Sequence, residues 1–211
     1  MSTPAPATLY RVAAAAGAGS AVVLLINAAK RAEVIPTSAF TQLIAPVAEI
    51  LALALVTGLY LAHGRRSGTL GLVAYLLNSF ALAALVGVEF VINLVFSELP
   101  DRTVEALRGE SLGAALTAAS ILFLVETLAF VAAMLRTREL PTVPLVMYAV
   151  GAVPIALRAA VPEAVLDLGL VVLALGVGWL AISLFQGASV LATRRDHEPT
   201  DVPALTEVRH R

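Results

Sequence analysis

Three glutamates, Glu49, Glu89 and Glu126, interrupt long uncharged runs in this chain. A charge at membrane depth is costly, so such residues face a bundle interior or water and mark candidate sites. Carboxyl groups there can hold a cation, carry a proton, or act as general acid and base. Arg158 is a comparably placed cation, and Asn27, Asn78 and Asn93 add uncharged hydrogen-bonding groups. At 100° per residue, Tyr75, Asn78, Glu89 and Asn93 fall within about 60° of one another. Gly71 shares that stripe, and apolar Leu82 sits in its middle. Gln42, Glu49, Tyr60 and His63 share a similar arc, as do Ser20, Asn27 and Arg31, and Met147, Gly151, Pro154 and Arg158. Glu126 lies on an alanine face with Ala115, Ala119 and Ala133. Three buried carboxylates would face at most one buried arginine, so at least one glutamate should carry a proton near neutral pH or hold a cation.

Plainer roles compete. A glutamate can simply bond a neighbouring helix, a contact averaging roughly 0.6 kcal/mol. Arg158 can snorkel to headgroups or pair with Glu89 or Glu49. Asp167 suits a solvated helix start, where an acid complements the helix dipole. His63, beside Arg65, reads as interfacial, and Trp179 as a packing residue. Gly176 and Gly178 let helices approach closely.

The elements that must position these groups follow from composition. Of 211 residues, 59% are apolar and 14% charged, against about 25% charged in a soluble domain. Runs of about 20 apolar residues suit the bilayer core, and backbone in lipid must bond to itself, so the spans are helices. The expected fold class is all-α, a polytopic transmembrane bundle. Six spans are expected, at about 9–29, 41–62, 69–96, 112–135, 141–161 and 165–192. The organisation is an N-terminal tail over 1–7, a membrane domain over 8–193, and a disordered cytoplasmic tail over 194–211. The first apolar run is longer than a signal peptide's and is read as retained. Pro100-Asp101 and Gly109 bracket a short surface helix in the 97–111 loop.

Arginines follow spans 2, 4 and 6 at Arg65-Arg66, Arg136/Arg138 and Arg194-Arg195, which places both termini in the cytoplasm of an inner-membrane, multi-pass protein. Lys30-Arg31 dissents. On a 1.5 Å rise, Glu49 lies roughly 24 Å from Arg65, Glu89 roughly 14 Å from Glu98, and Glu126 roughly 15 Å from Arg136. An outward-facing polar cavity is therefore expected, with Glu126 at its floor. Pro154 should kink span 5 beside it.

Much is excluded. Cysteine is absent, and the histidines are His63, His197 and His210, so disulfides, thiolate chemistry and a bis-histidine haem are not expected. No cofactor or metal is called for. A net charge of −1 gives no electrostatic case for nucleic acid. No phosphate loop, HExxH, GxSxG or paired Asp-rich motif occurs.

Glu49-Ile-Leu-Ala-Leu recurs as Glu126-Thr-Leu-Ala-Phe, a short match of the kind chance supplies in Leu/Ala-rich sequence. With its compact spans, arginine stops and this E-x-L-A phrase, the chain resembles the uncharacterised small multi-span membrane proteins of high-GC bacteria. The resemblance implies a helical bundle and carries no activity, so no residue role follows from it.

Three functions fit. The first binds a cation or small amphiphile in the cavity, as in a proton-coupled transporter, with Glu89 and Glu126 as proton or cation sites and Glu49 and Arg158 as a tuning pair. The second is an intramembrane enzyme using paired glutamates as acid and base on a lipid-like substrate. The third is a non-catalytic scaffold or partner subunit. The bilayer is the expected partner in all three, and nothing in the chain specifies an oligomeric state.

Overall fold

A helix needs about 20 apolar residues to cross the roughly 30 Å bilayer core. In the computed structural model, which describes residues 6–158 and 160–196, five stretches are long and apolar enough: Ala7–Arg31, Ala39–Ala62, Gly64–Glu98, Ser111–Thr137 and Glu163–Ala188. A sixth apolar helix, Thr142–Ala156, has 15 residues. The structure is helical, with no strand among the described residues. Its helices are α1 (Pro6–Arg31), α2 (Ala39–Leu43), α3 (Val47–Ala62), α4 (Gly68–Phe90), α5 (Asp101–Gly109), α6 (Ser111–Thr137), α7 (Thr142–Ala156) and α8 (Glu163–Asp196). Most of the two expected tails, with His197 and His210, lies outside the described residues. The first helix begins at Pro6, inside the expected N-terminal tail, and α8 continues past 193 to Asp196.

The six apolar helices close a ring. Helix α1 packs on α8 and α3, α3 on α4, α4 on α6, α6 on α7, and α7 on α8. Short connections make successive members antiparallel. The ring therefore has two ends: α1, α4 and α7 finish where α3, α6 and α8 begin. Close helix approach is built on small residues. A Cβ on Gly58 of α3 would lie 2.5 Å from Ala13 Cβ of α1, and one on Gly151 of α7 would lie 2.4 Å from the Leu173 backbone nitrogen of α8. Phe130, Met134, Leu145, Leu180 and Leu184 fill the middle, each at most 1% exposed.

Three departures from the expected spans bear on the site. The second span is broken. Ser38 and Thr41 form reciprocal caps (Thr41 N to Ser38 Oγ 3.2 Å, Ser38 N to Thr41 Oγ1 2.9 Å) and start α2, and Pro46 precedes a fresh start at Val47. Proline has no N–H for the ladder and crowds the carbonyl four residues back. The arc joining Gln42 to Glu49 is thereby undone, and Glu49 falls in the first turn of α3. The third span widens to π geometry over Val91–Val95 before a 3₁₀ turn at Phe96–Glu98. The fifth stops at Ala156, two residues past Pro154, and is roughly 22 Å long instead of bilayer-spanning.

Helix α5 forms where Pro100-Asp101 and Gly109 place it, with none of its residues buried. At the opposite end of the ring, Glu139 accepts from His63 Nδ1 (2.8 Å) and pairs with Arg66. Burial, and then Arg66, hold the His63 imidazole below its ordinary pKa. Trp179 is not a packing residue: it is 44% exposed, on the outer wall of the ring.

Candidate functional site

At the end where α3, α6 and α8 begin, a cavity of about 120 Å³ enters the ring. Five of the expected site residues line it: Asn27 on α1, Glu49 on α3, Glu89 and Asn93 on the α4 rod, and Arg158 just past α7. Leu24, Leu82, Leu85, Phe123, Leu170 and Leu173 supply apolar wall. Tyr148 of α7 also lines it, although it is 5% exposed.

The mouth is an ordered chain of polar contacts. Lys30 Nζ donates to Asn93 Oδ1 at 2.6 Å. Asn93 Nδ2 donates to Glu89 Oε2 at 2.8 Å and to the Glu89 carbonyl at 3.0 Å. That carbonyl is four residues back, so the side chain competes for a ladder acceptor where the helix widens; π segments of this kind are frequent at functional sites. Arg158 lies 3.7 Å from Glu89 Oε1. Arg31 donates to Asp167 Oδ1 at 3.2 Å and pairs with Glu163.

These contacts correct three sequence readings. The mouth holds three cations, Lys30, Arg31 and Arg158, and not one arginine. Asp167 is paired and half-buried, not a solvated helix start. Lys30 and Arg31 engage carboxyl and amide groups of other helices, so they are site residues and not free loop charge. The sequence did place Asn27 and Arg31 on one face, but the partners lie 63 to 136 residues away.

Glu126 and Asn78 do not reach the cavity. They lie beyond Tyr148 in a separate cluster, each 0% exposed. Thr127 Oγ1 donates to Glu126 Oε1 at 3.0 Å, and Asn78 Nδ2 to the Tyr148 hydroxyl at 3.4 Å. The α4 stripe thus serves several helices: Asn78 turns to α7, while Tyr75 stacks on Tyr60 of α3 at 4.5 Å. Leu82 and Leu85 separate Asn78 from Glu89. Within this cluster Glu126 Oε2 and Asn78 Oδ1 have no protein partner. Glu126→Gln brings an amide donor of the same shape and should keep the thermal stability of the purified protein near wild type. Glu126→Ala leaves a void and unpaired groups, and should cost about 2–4 kcal/mol, read as a lower melting temperature.

Three further polar atoms without a protein partner belong to cavity-lining residues: Ser20 Oγ, Asn27 Oδ1 and Glu49 Oε2. Ser20 and Asn27 are seven residues apart, two turns of one face of α1. Ser20 shares that face along the chain, but a lone serine in an apolar run does not by itself mark a site. Tyr148 lies off the face of Gly151 and Arg158 and carries no signal of the site along the chain. The arrangement is an apolar chamber whose interior accepts hydrogen bonds and whose mouth carries cations. No protein-family model, curated protein or solved structure matches the chain.

Proposed function

We propose that this is an integral membrane protein whose outward-facing cavity binds a small amphiphile. The supporting observation is the convergence of Ser20 Oγ, Asn27 Oδ1 and Glu49 Oε2, all without protein partners, on one apolar-walled cavity. A buried polar atom left unpaired costs about 1–3 kcal/mol. A ligand head that donates hydrogen bonds removes that cost, and an apolar body suits the leucine wall.

The orientation in this reading is six spans with both termini in the cytoplasm of the cell membrane. The arginines at the far ends of α3, α6 and α8 support it, and Lys30-Arg31 no longer counts against it, since both side chains are engaged in the mouth. The short α7 is accommodated by local bilayer thinning. A bare cation is the weaker ligand: Lys30, Arg31 and Arg158 repel it, and among the described residues no three His, Cys, Asp or Glu converge to hold a metal. Glu49 replaces Glu126 as the acid beside the ligand. A scaffold role predicts capped glutamates, and Glu49 Oε2 is uncapped. An acid–base enzyme on a lipid-like substrate is the second reading, favoured by Glu49 and Glu89 sharing the cavity.

Monolauroylglycerol, a neutral amphiphile with hydroxyl donors, is the test probe. Purified protein in maltoside micelles should melt at higher temperature with it, and sodium or ammonium chloride at equal concentration should have no such effect. Asn27→Leu and Glu49→Leu should each weaken binding about tenfold or more. Equal stabilisation by the salts, or unchanged binding in both variants, would overturn the reading.

A further inference from the structure

A second cavity, of about 550 Å³, adjoins the first. The two share Arg31, Ile92, Ser120, Arg158 and Leu166 as lining. The first has room for a head group and the start of a chain; the second falls in the usual range of about 300–1,000 Å³ for small-molecule sites and extends the room for the rest of an amphiphile. It lies where α7 ends early. There the wall between α6 and α8 is made by the turn after Ala156, and not by another turn of helix. Ile121 and Leu157 line this space and are 54% and 43% exposed, so its apolar surface continues to the outside of the ring.

Its charges are unequal in their commitments. Arg31 is held by Glu163 and Asp167. Arg158 pairs, among the described residues, with Glu89 at 3.7 Å, beyond hydrogen-bond length. Arg108, on exposed α5, has no ion pair among the described residues and lies over the Phe96 ring, 5.4 Å from its centroid. Arg158 lies within electrostatic range of Arg31 and Arg108, and of the carboxylates Glu89 and Glu163. Arg108 and Arg158 line this one cavity with guanidinium donors that make no hydrogen bond to a carboxylate among the described residues. Such donors suit the oxygens of a phosphate, which they grip in bidentate fashion.

Resting on the amphiphile reading above, we infer that the ligand is a phosphate-bearing lipid that enters sideways, through the window left by the short α7. Its phosphate sits between Arg108 and Arg158. Its amine or hydroxyl head donates into the chamber of Ser20, Asn27 and Glu49. Its chain runs out past Ile121 and Leu157 into the membrane.

The test titrates the full-length protein, in micelles, with lauroyl lysophosphatidylethanolamine, monolauroylglycerol and inorganic phosphate, counting bound molecules by native mass spectrometry. The lysophospholipid should bind at least about tenfold more tightly than either control, as two charge-assisted contacts require. Arg108→Gln, at an exposed site where folding is not at stake, should remove most of that advantage and leave monolauroylglycerol unchanged. Thr117→Trp, which fills the window from exposed α6 surface, should weaken the lysophospholipid by about tenfold or more. Equal binding of lysophospholipid and monolauroylglycerol would overturn the phosphate assignment while sparing the amphiphile reading. Phosphate binding as tight as the lysophospholipid's would mean an anion site and overturn the lipid assignment. Unaltered binding in Thr117→Trp would overturn the lateral route. Binding of neither amphiphile would overturn both readings.

Discussion

Replacing Glu89 with alanine should be the most damaging single change at the cavity mouth, costing about 2–4 kcal/mol. The figure starts from the roughly 3–5 kcal/mol for stranding a buried charge and is reduced because the Glu89 and Arg158 side chains keep some solvent exposure. Glu89 takes the Asn93 amide at 2.8 Å, and through Asn93 orders Lys30; among the described residues it is also the carboxylate that pairs with Arg158. Its loss strands two cations at once. Glu89→Gln keeps an acceptor for Asn93 and removes only the charge, so it should be milder. Arg158→Gln placed on top of Glu89→Gln should recover part of the loss, because the two sites are coupled. The measurement is the melting temperature of the purified protein for the two single variants and the double. Strict additivity would remove Glu89 and Arg158 from a common network.

Gly151→Leu should separate α7 from α8, with a cost of about 3 kcal/mol or more. A Cβ at that position meets Leu173 N at 2.4 Å, Leu173 Cα at 2.7 Å and Gly169 O at 2.8 Å. All three are backbone atoms and cannot turn aside as a side chain could. Since α7 and the turn beyond it wall both cavities, amphiphile binding should fall together with stability. Gly87→Ala is the matched control. Nothing lies within 4 Å of a Cβ there, and the gain in helix propensity is about 0.5–1 kcal/mol, so this variant should be neutral or slightly more stable. A wild-type melt for Gly151→Leu would show that the helices can repack without the close approach.

Much of the site was legible along the chain. Asn27, Glu49, Glu89, Asn93 and Arg158 stand out because a polar side chain in an apolar run has few places to go, and all five line one cavity. Helix α5 was legible from its bracketing Pro100 and Gly109, which are local stop signals. Axial depth along a helix says nothing of rotation, and Glu126 lies outside the cavity. Its face turns to Thr127, Asn78 and Tyr148, below the chamber. The roles of Lys30 and Arg31 are not legible along the chain, because the positive-inside rule counts residues and is blind to their partners.

By itself, then, the sequence determined what depends on neighbours along the chain: the helical class, the apolar runs, the disturbance of the fifth at Pro154, and which residues are too polar for lipid. Tertiary structure alone decided which of those residues meet. Helix rotation and register are set by pairwise packing between distant segments, such as Gly151 against Leu173 and Gly58 against Ala13. That packing brought Lys30 to Asn93 and Arg31 to Asp167, kept Glu126 apart from Glu49, and left a short α7 beside an open window in the ring.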